Sequence, residues 1–145
     1  KKLIERGEFM FKKLLASALF VLLASQSLFG DIKTYGNLDE AFAKAKSENK
    51  AVALTVVSTN CPWCHKLLKQ TVKDKKVEEM LAKNFIYVVL NKDVDQIPDG
   101  YKTRMVPTTF FMDKNGQKTA QSAVGYWEAD DFLSYLNDAL KKTKK

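Results

Sequence analysis

The chain has 145 residues, 46% of them hydrophobic and 28% charged, with 6 Gly and 3 Pro. That is material for one core of ordinary size, and it excludes disordered, collagen-like and low-complexity architectures. The net charge of +7 sits at the two ends, because residues 31–140 hold 15 basic and 15 acidic side chains; a neutral body is not a phosphate-binding face, so nucleic acid is not an expected partner.

Met10-Phe11-Lys12-Lys13 precedes an apolar run from Leu14 to Ala24 and the small polar stretch Ser25-Gln26-Ser27. Positive start, apolar middle and small-residue end are the three parts of a secretory signal peptide. As a helix the run would span about 16 Å, roughly half a bilayer core. Cleavage is expected near residues 27–30, with an uncleaved membrane anchor as the lesser alternative. Residues 1–9 read as an upstream extension or tag, translated from a ribosome-binding region or left by cloning. The folded domain is then expected over residues 31–145, with a basic C-terminal tail. Export implies a compartment, periplasmic or outside the cell, in which disulfides persist.

Within that domain, Asn37 and Glu40 have the spacing of a capping box. Leu38, Ala41, Phe42 and Ala45 recur at helical spacing, so a helix is expected over 38–47. Ala51 to Ser58 is apolar and β-branched, the pattern of a strand buried on both faces. A helix follows Cys61 through Leu68, and Asp74 caps another whose Val77, Met80 and Leu81 face inward. Phe85–Leu90 and Thr108–Met112 are further buried strands. Asp113-Lys114-Asn115-Gly116 reads as a hairpin turn with Asn-Gly at its corner, and Gln117–Val124 as the returning strand. Phe132, Tyr135, Leu136, Ala139 and Leu140 mark a last helix. The fold class is α/β, a mixed sheet flanked by helices.

The two cysteines of the chain stand in Cys61-Pro62-Trp63-Cys64, after a strand and opening a helix. Pro62 suits a first helical position, where its missing N–H is no loss. Cys61 then meets the free N–H groups of the helix start, which stabilise a thiolate, and Cys64 lies one turn deeper, within reach of a mixed disulfide on Cys61. Three other readings stand beside this one. A static staple over so short a loop gains only about 2 kcal/mol. Zinc would have two Cys and the single His65, with no second pair. Cys61-Pro62-Trp63-Cys64-His65 also matches the c-type haem attachment pattern, with Met80, Met105 or Met112 as a sixth ligand.

Residues 35–142 resemble the thioredoxin superfamily. Besides the Cys pair, Val106-Pro107-Thr108-Thr109-Phe110 is similar to its cis-proline segment, Asp113–Gly116 to its hairpin turn, and Val124-Gly125 with Phe132-Leu133 and Leu136 to its last strand and helix. Cys-Pro-Trp-Cys-His is nearer to exported thioredoxin-like and Dsb proteins than to cytosolic thioredoxin, since Asn60 precedes Cys61. Two buried positions depart from the family: Thr55 stands where it has an acid, and Val89 where the lysine paired with that acid falls. The usual proton acceptor for Cys64 is therefore missing.

The resemblance implies a thioredoxin fold and a thiol–disulfide oxidoreductase. Cys61 would be the exposed attacking thiolate and Cys64 the buried resolving thiol. A cis Val106–Pro107 bond would keep a backbone edge open for a substrate strand, and Trp63 would join the contact surface. Pro62 and His65 would modulate Cys61. Tyr126 and Trp127 read as core or rim aromatics outside the site. No metal or organic cofactor is implied. Expected partners are proteins with disulfides or dithiols and a membrane redox protein that resets the pair, acting on a monomer. A reductase is favoured over an oxidant because no helical subdomain is inserted, and over an isomerase because nothing resembles a dimerisation domain. A c-type haem electron carrier and a non-catalytic interaction module are the alternatives.

Overall fold

The computed structural model describes residues 32–143. The expected signal peptide, its cleavage region, residues 1–9 and the last two lysines lie outside the described residues. Strand β1, Thr34–Tyr35, was not expected from the sequence; two residues before a glycine are too short to show a period. Asn37 then caps helix α1, Leu38–Glu48, its Oδ1 accepting the N–H groups of Asp39 (2.8 Å) and Glu40 (3.1 Å). The helix buries Leu38, Ala41 and Ala45, as its periodicity requires, and ends at Asn49 in the left-handed region (φ 53°).

Strand β2, Ala51–Val57, is buried along its whole length. Helix α2, Pro62–Lys66, runs into a single π-helical turn, Leu67–Thr71. Asp74 caps α3, Lys75–Asn84, through its side chain. Strand β3, Phe85–Asn91, a 3-10 turn at Asp99–Tyr101, β4, Thr108–Met112, β5, Ala123–Val124, and α4, Ala129–Thr143, complete the domain.

The sheet has the order β1-β3-β2-β4-β5. β1 and β2 run parallel to β3, whereas β4 is antiparallel to β2 and β5 to β4. Alternate residues of β2 go to opposite faces. Val52, Leu54 and Val56 pack with α1, while Ala51 and Ala53 pack with Val77 and Leu81 of α3 and with Phe132, Leu136 and Ala139 of α4. Helices thus cover both faces of the central strand, which is why its sequence shows no alternation.

The hairpin after β4 differs from the sequence reading. Gly116, not an Asn-Gly pair, takes the left-handed conformation (φ 86°). Its N–H donates to the Asp113 carbonyl, and Asp113 Oδ1 accepts from the N–H groups of Asn115 and Gln117. This is a three-residue loop that closes on a left-handed glycine, a common hairpin solution. The returning strand is not continuous over 117–124. Lys118 bridges Met112, and pairing resumes only where Ala123 faces Thr109. Three steps along β4 face five on the return, so two residues loop out. Ala120, Gln121 and Ser122 carry no bulky apolar side chain that would reward keeping them in the ladder.

Candidate functional site

Val57 ends β2, and the turn Ser58–Asn60 delivers Cys61 to the start of α2. Cys61 has extended backbone angles (φ −129°, ψ 96°), and its Sγ accepts the N–H of Cys64 at 3.1 Å. Pro62 occupies the first helical position, as its chemistry favours. Cys61 and Cys64 form a disulfide with their Cα atoms 5.2 Å apart. The two sulfurs pack with Val57, Leu68, Val89 and Val106. Cys61 is 8% accessible and Cys64 2%. An exposed Cys61 was expected; in the oxidised form only an edge of it reaches solvent, because the loop before β4 covers it. Val106 in that loop places its carbonyl oxygen 3.8 Å from Cys61 Sγ. The Val106–Pro107 peptide is cis, and the carbonyl of the buried Pro107 accepts the Gly125 N–H at 2.8 Å. The structure therefore brings Cys61, Cys64, Val106 and Pro107 together.

Trp63 projects beside this disulfide and is 58% exposed. Its ring lies 5.5 Å from that of Tyr126, with the Lys66 ammonium 5.5 Å from the Trp63 ring and 4.3 Å from the Tyr126 ring. Glu128 pairs with Lys66 at 3.6 Å. Tyr126, read from the sequence as a core or rim aromatic, is thus a rim residue on the redox side of the molecule. Trp127 turns inward, its ring packing on Tyr135 and its Nε1–H donating to the Val124 carbonyl. His65 is exposed, and its Nε2 lies 3.4 Å from the carbonyl of Thr59, in the turn that precedes Cys61.

Beneath the site, where the resemblance to the thioredoxin superfamily implies a buried acid, hydroxyls meet. Thr55 faces Val89 across the parallel register, so the two departures from the family are neighbours. Thr55 Oγ1 lies 2.8 Å from Thr109 Oγ1 and accepts the Tyr87 O–H at 2.9 Å. All three residues are buried, and burial pushes the Tyr87 phenol well above its ordinary value. Tyr87 and Thr109 were not singled out in the sequence, since their meeting depends on strand register. Asp93 was also missed. Its Oδ2 accepts the Ser58 O–H at 2.6 Å and the Thr59 N–H at 2.8 Å. The string Asn91, Asp93, Asp95 directly after a strand was the available signal, being rich in residues that cap turns.

Two of the three methionines that could complete a haem site are engaged elsewhere in the fold. Met112 lies in the core on the α1 face of the sheet, and the sulfur of Met80 receives the Asn84 side-chain amide. Among the described residues no cluster of three or more His, Cys, Asp or Glu is arranged to hold a metal ion.

Known proteins share this architecture. A solution structure of a thioredoxin from Thermus thermophilus superposes with a TM-score of 0.67 at 21% identity, covering 79% of this chain and 91% of that one. The oxidised DsbD C-terminal domain of Neisseria meningitidis superposes at 0.59 with 14% identity, covering 74% and 99%. Among curated sequences, the thiol:disulfide interchange protein DsbD of Actinobacillus pleuropneumoniae is 32% identical over 99 residues, 63% of this chain and 16% of that protein. Spermatogenesis-associated protein 20 of Mus musculus is 33% identical over 76 residues, 50% of this chain and 10% of that protein. The chain therefore spans only a small part of the length of these curated relatives. A family model described as a thioredoxin-like domain matches residues 38–140. With its Cys61–Cys64 disulfide at a helix start opposite a cis-proline, the chain belongs to the thioredoxin-like domain family.

Proposed function

We propose that this chain is a thiol–disulfide oxidoreductase that acts on protein clients outside the cytoplasm, in the reducing direction. The observation that carries the reading is the Cys61–Cys64 disulfide, whose Cys61 sulfur accepts a helix N–H and lies under the Val106 carbonyl. The Cys61 thiolate attacks one sulfur of a client disulfide, forming a mixed disulfide and expelling the other client sulfur as a thiolate. The Cys64 thiolate then attacks Cys61, closing the internal disulfide and releasing the second client thiolate. Two electrons pass to the client, and no metal or organic cofactor takes part. A membrane redox partner is the natural source of the electrons that reopen the pair.

Val106 and Pro107 would supply the backbone edge against which a client strand aligns, Trp63 the apolar contact, and Pro62 and His65 the setting of Cys61. The leader supports export, and the match to proteins named thiol:disulfide interchange protein supports the reaction class. The segment from α2 to α3 holds no inserted subdomain, which favours the reducing direction.

Cys64→Ala should trap clients as mixed disulfides on Cys61, visible as reducible adducts on a non-reducing gel. Cys61→Ala should trap none. Equal turnover of a model disulfide by wild type and Cys61→Ala would refute the reading.

A further inference from the structure

The turn that carries Cys61 is held from outside by the end of β3. The Ser58 side chain and the Thr59 N–H bond to Asp93, two residues past that strand, and the Thr59 side chain bonds to Asn91, its last residue. Asp93 Oδ2 accepts the Ser58 O–H (2.6 Å) and the Thr59 N–H (2.8 Å), and Thr59 Oγ1 accepts the Asn91 amide (3.0 Å). Asp93 is itself held, its N–H donating to Asn91 Oδ1 at 3.0 Å, while Asn91 N–H donates to Asp95 Oδ2 at 2.7 Å. The Lys92 N–H continues the ladder to the Val57 carbonyl at 2.9 Å. On the other side, His65 Nε2 approaches the Thr59 carbonyl. The Asp93 contacts are not part of the β2 ladder or of α2, yet they fix the backbone immediately before the reactive sulfur.

We infer that Asp93 is a positioning residue for Cys61, pinning the Ser58–Asn60 turn so that the Cys61 thiolate keeps the Cys64 N–H after the disulfide opens. While the disulfide is closed, the covalent bond itself restrains Cys61. Once reduced, the backbone of Cys61 is held from the helix side by its carbonyl, which accepts the His65 N–H at 3.1 Å, and from the strand side by the turn that the Asp93 brace fixes. A thiolate that loses the Cys64 N–H is less stable, and its pKa rises. The Ser58 hydroxyl and the Thr59 N–H hold the Asp93 carboxyl at about 2, so it is ionised at any working pH. The inference rests on the thiol-exchange reading, because it concerns the reactivity of Cys61.

Two effects of Asp93 would act with opposite sign, which makes the proposal testable. As a mere nearby negative charge, Asp93, which pairs with the Lys92 ammonium at 3.5 Å, would raise the Cys61 pKa, and Asp93→Ala, which removes that charge and frees the cation, would lower it. As a brace, it lowers the pKa, and its removal raises it. The experiment is to reduce the full chain and follow alkylation of Cys61 against pH in wild type, Asp93→Ala and Ser58→Ala, with a urea melt of each. Ser58→Ala keeps the charge, removes one strut and is the milder change if Asp93→Ala folds poorly. We expect the apparent pKa of Cys61 to rise in both variants by about half a unit, slowing alkylation about threefold at a fixed pH below it. An unchanged pKa with lowered stability would overturn the proposal, leaving Asp93 purely structural. A fall in Asp93→Ala with no change in Ser58→Ala would overturn it in favour of simple electrostatics. An ordinary thiol pKa for Cys61 in the wild type would instead count against the exchange reading on which the inference stands.

Discussion

Thr55 is a polar side chain with no solvent access, and it is tolerated because Tyr87 and Thr109 satisfy it from the two flanking strands. Replacing it by valine keeps the shape but leaves the Tyr87 phenol buried without its acceptor. We expect Thr55→Val to cost about 1–3 kcal/mol in urea unfolding, and Tyr87→Phe, which removes only a donor, about 1 kcal/mol. A neutral Thr55→Val would contradict the assignment. The phenol also makes stability depend on pH. Burial raises its pKa in the folded state above the ordinary 10.0, so its contribution is full below that value and is lost as the pH climbs past it. Stability above about pH 10 should therefore fall more steeply in wild type than in Tyr87→Phe. The resemblance implied that Thr55 and Val89 stand where the thioredoxin superfamily has a charged pair, Thr55 by its count from Cys61 and Val89 by alignment. It did not show the substitute, because Tyr87 is directly beside Ala53 and reaches Thr55 only across the diagonal of the register.

At the level of elements, the redox helix is short and owes its placement to the segments packed around it. The π-helical turn Leu67–Thr71 sets Thr71 so that its Oγ1 donates to the Trp127 carbonyl at 2.7 Å. The same segment after Gly125 contributes Tyr126 against Trp63 and Glu128 against Lys66, so it clamps α2 at two places and the π-helical turn at a third. Thr71→Val removes the buried member of that clamp. We expect a loss of about 1–2 kcal/mol by urea denaturation, with unchanged stability as the contradicting result. Helix α1, the caps at Asn37 and Asp74, the double-faced burial of β2 and the last helix were legible, since each is written in a local period or a capping residue. The π-turn, the two-residue β1 and the looped-out return strand were not. Each depends on pairing or packing with a segment distant in sequence, and none leaves a period long enough to read.

For the whole molecule, helices on both faces of the sheet leave the C-terminal end of the parallel strand β2 as the place where a turn can present side chains. The Cys pair stands there, and open α/β sheets generally place their chemistry at that edge. The residues of the site come from three separate parts of the chain: the turn and helix after β2, the loop before β4 and the segment after β5. The Cys pair and the cis-proline segment were recognisable because each is a local motif, whereas the partnership of Trp63 with Tyr126 and of Ser58 with Asp93 exists only once the chain has folded. A reversible redox equilibrium of the Cys61–Cys64 pair is the property that gathers these parts into a function. The most direct test is to titrate that pair against glutathione and read Trp63 fluorescence. We expect one reversible two-electron transition nearer about −270 mV than about −120 mV, the value of a reductase rather than an oxidant. A transition near the higher value would reverse the direction, and the absence of any reversible transition would contradict the oxidoreductase account itself.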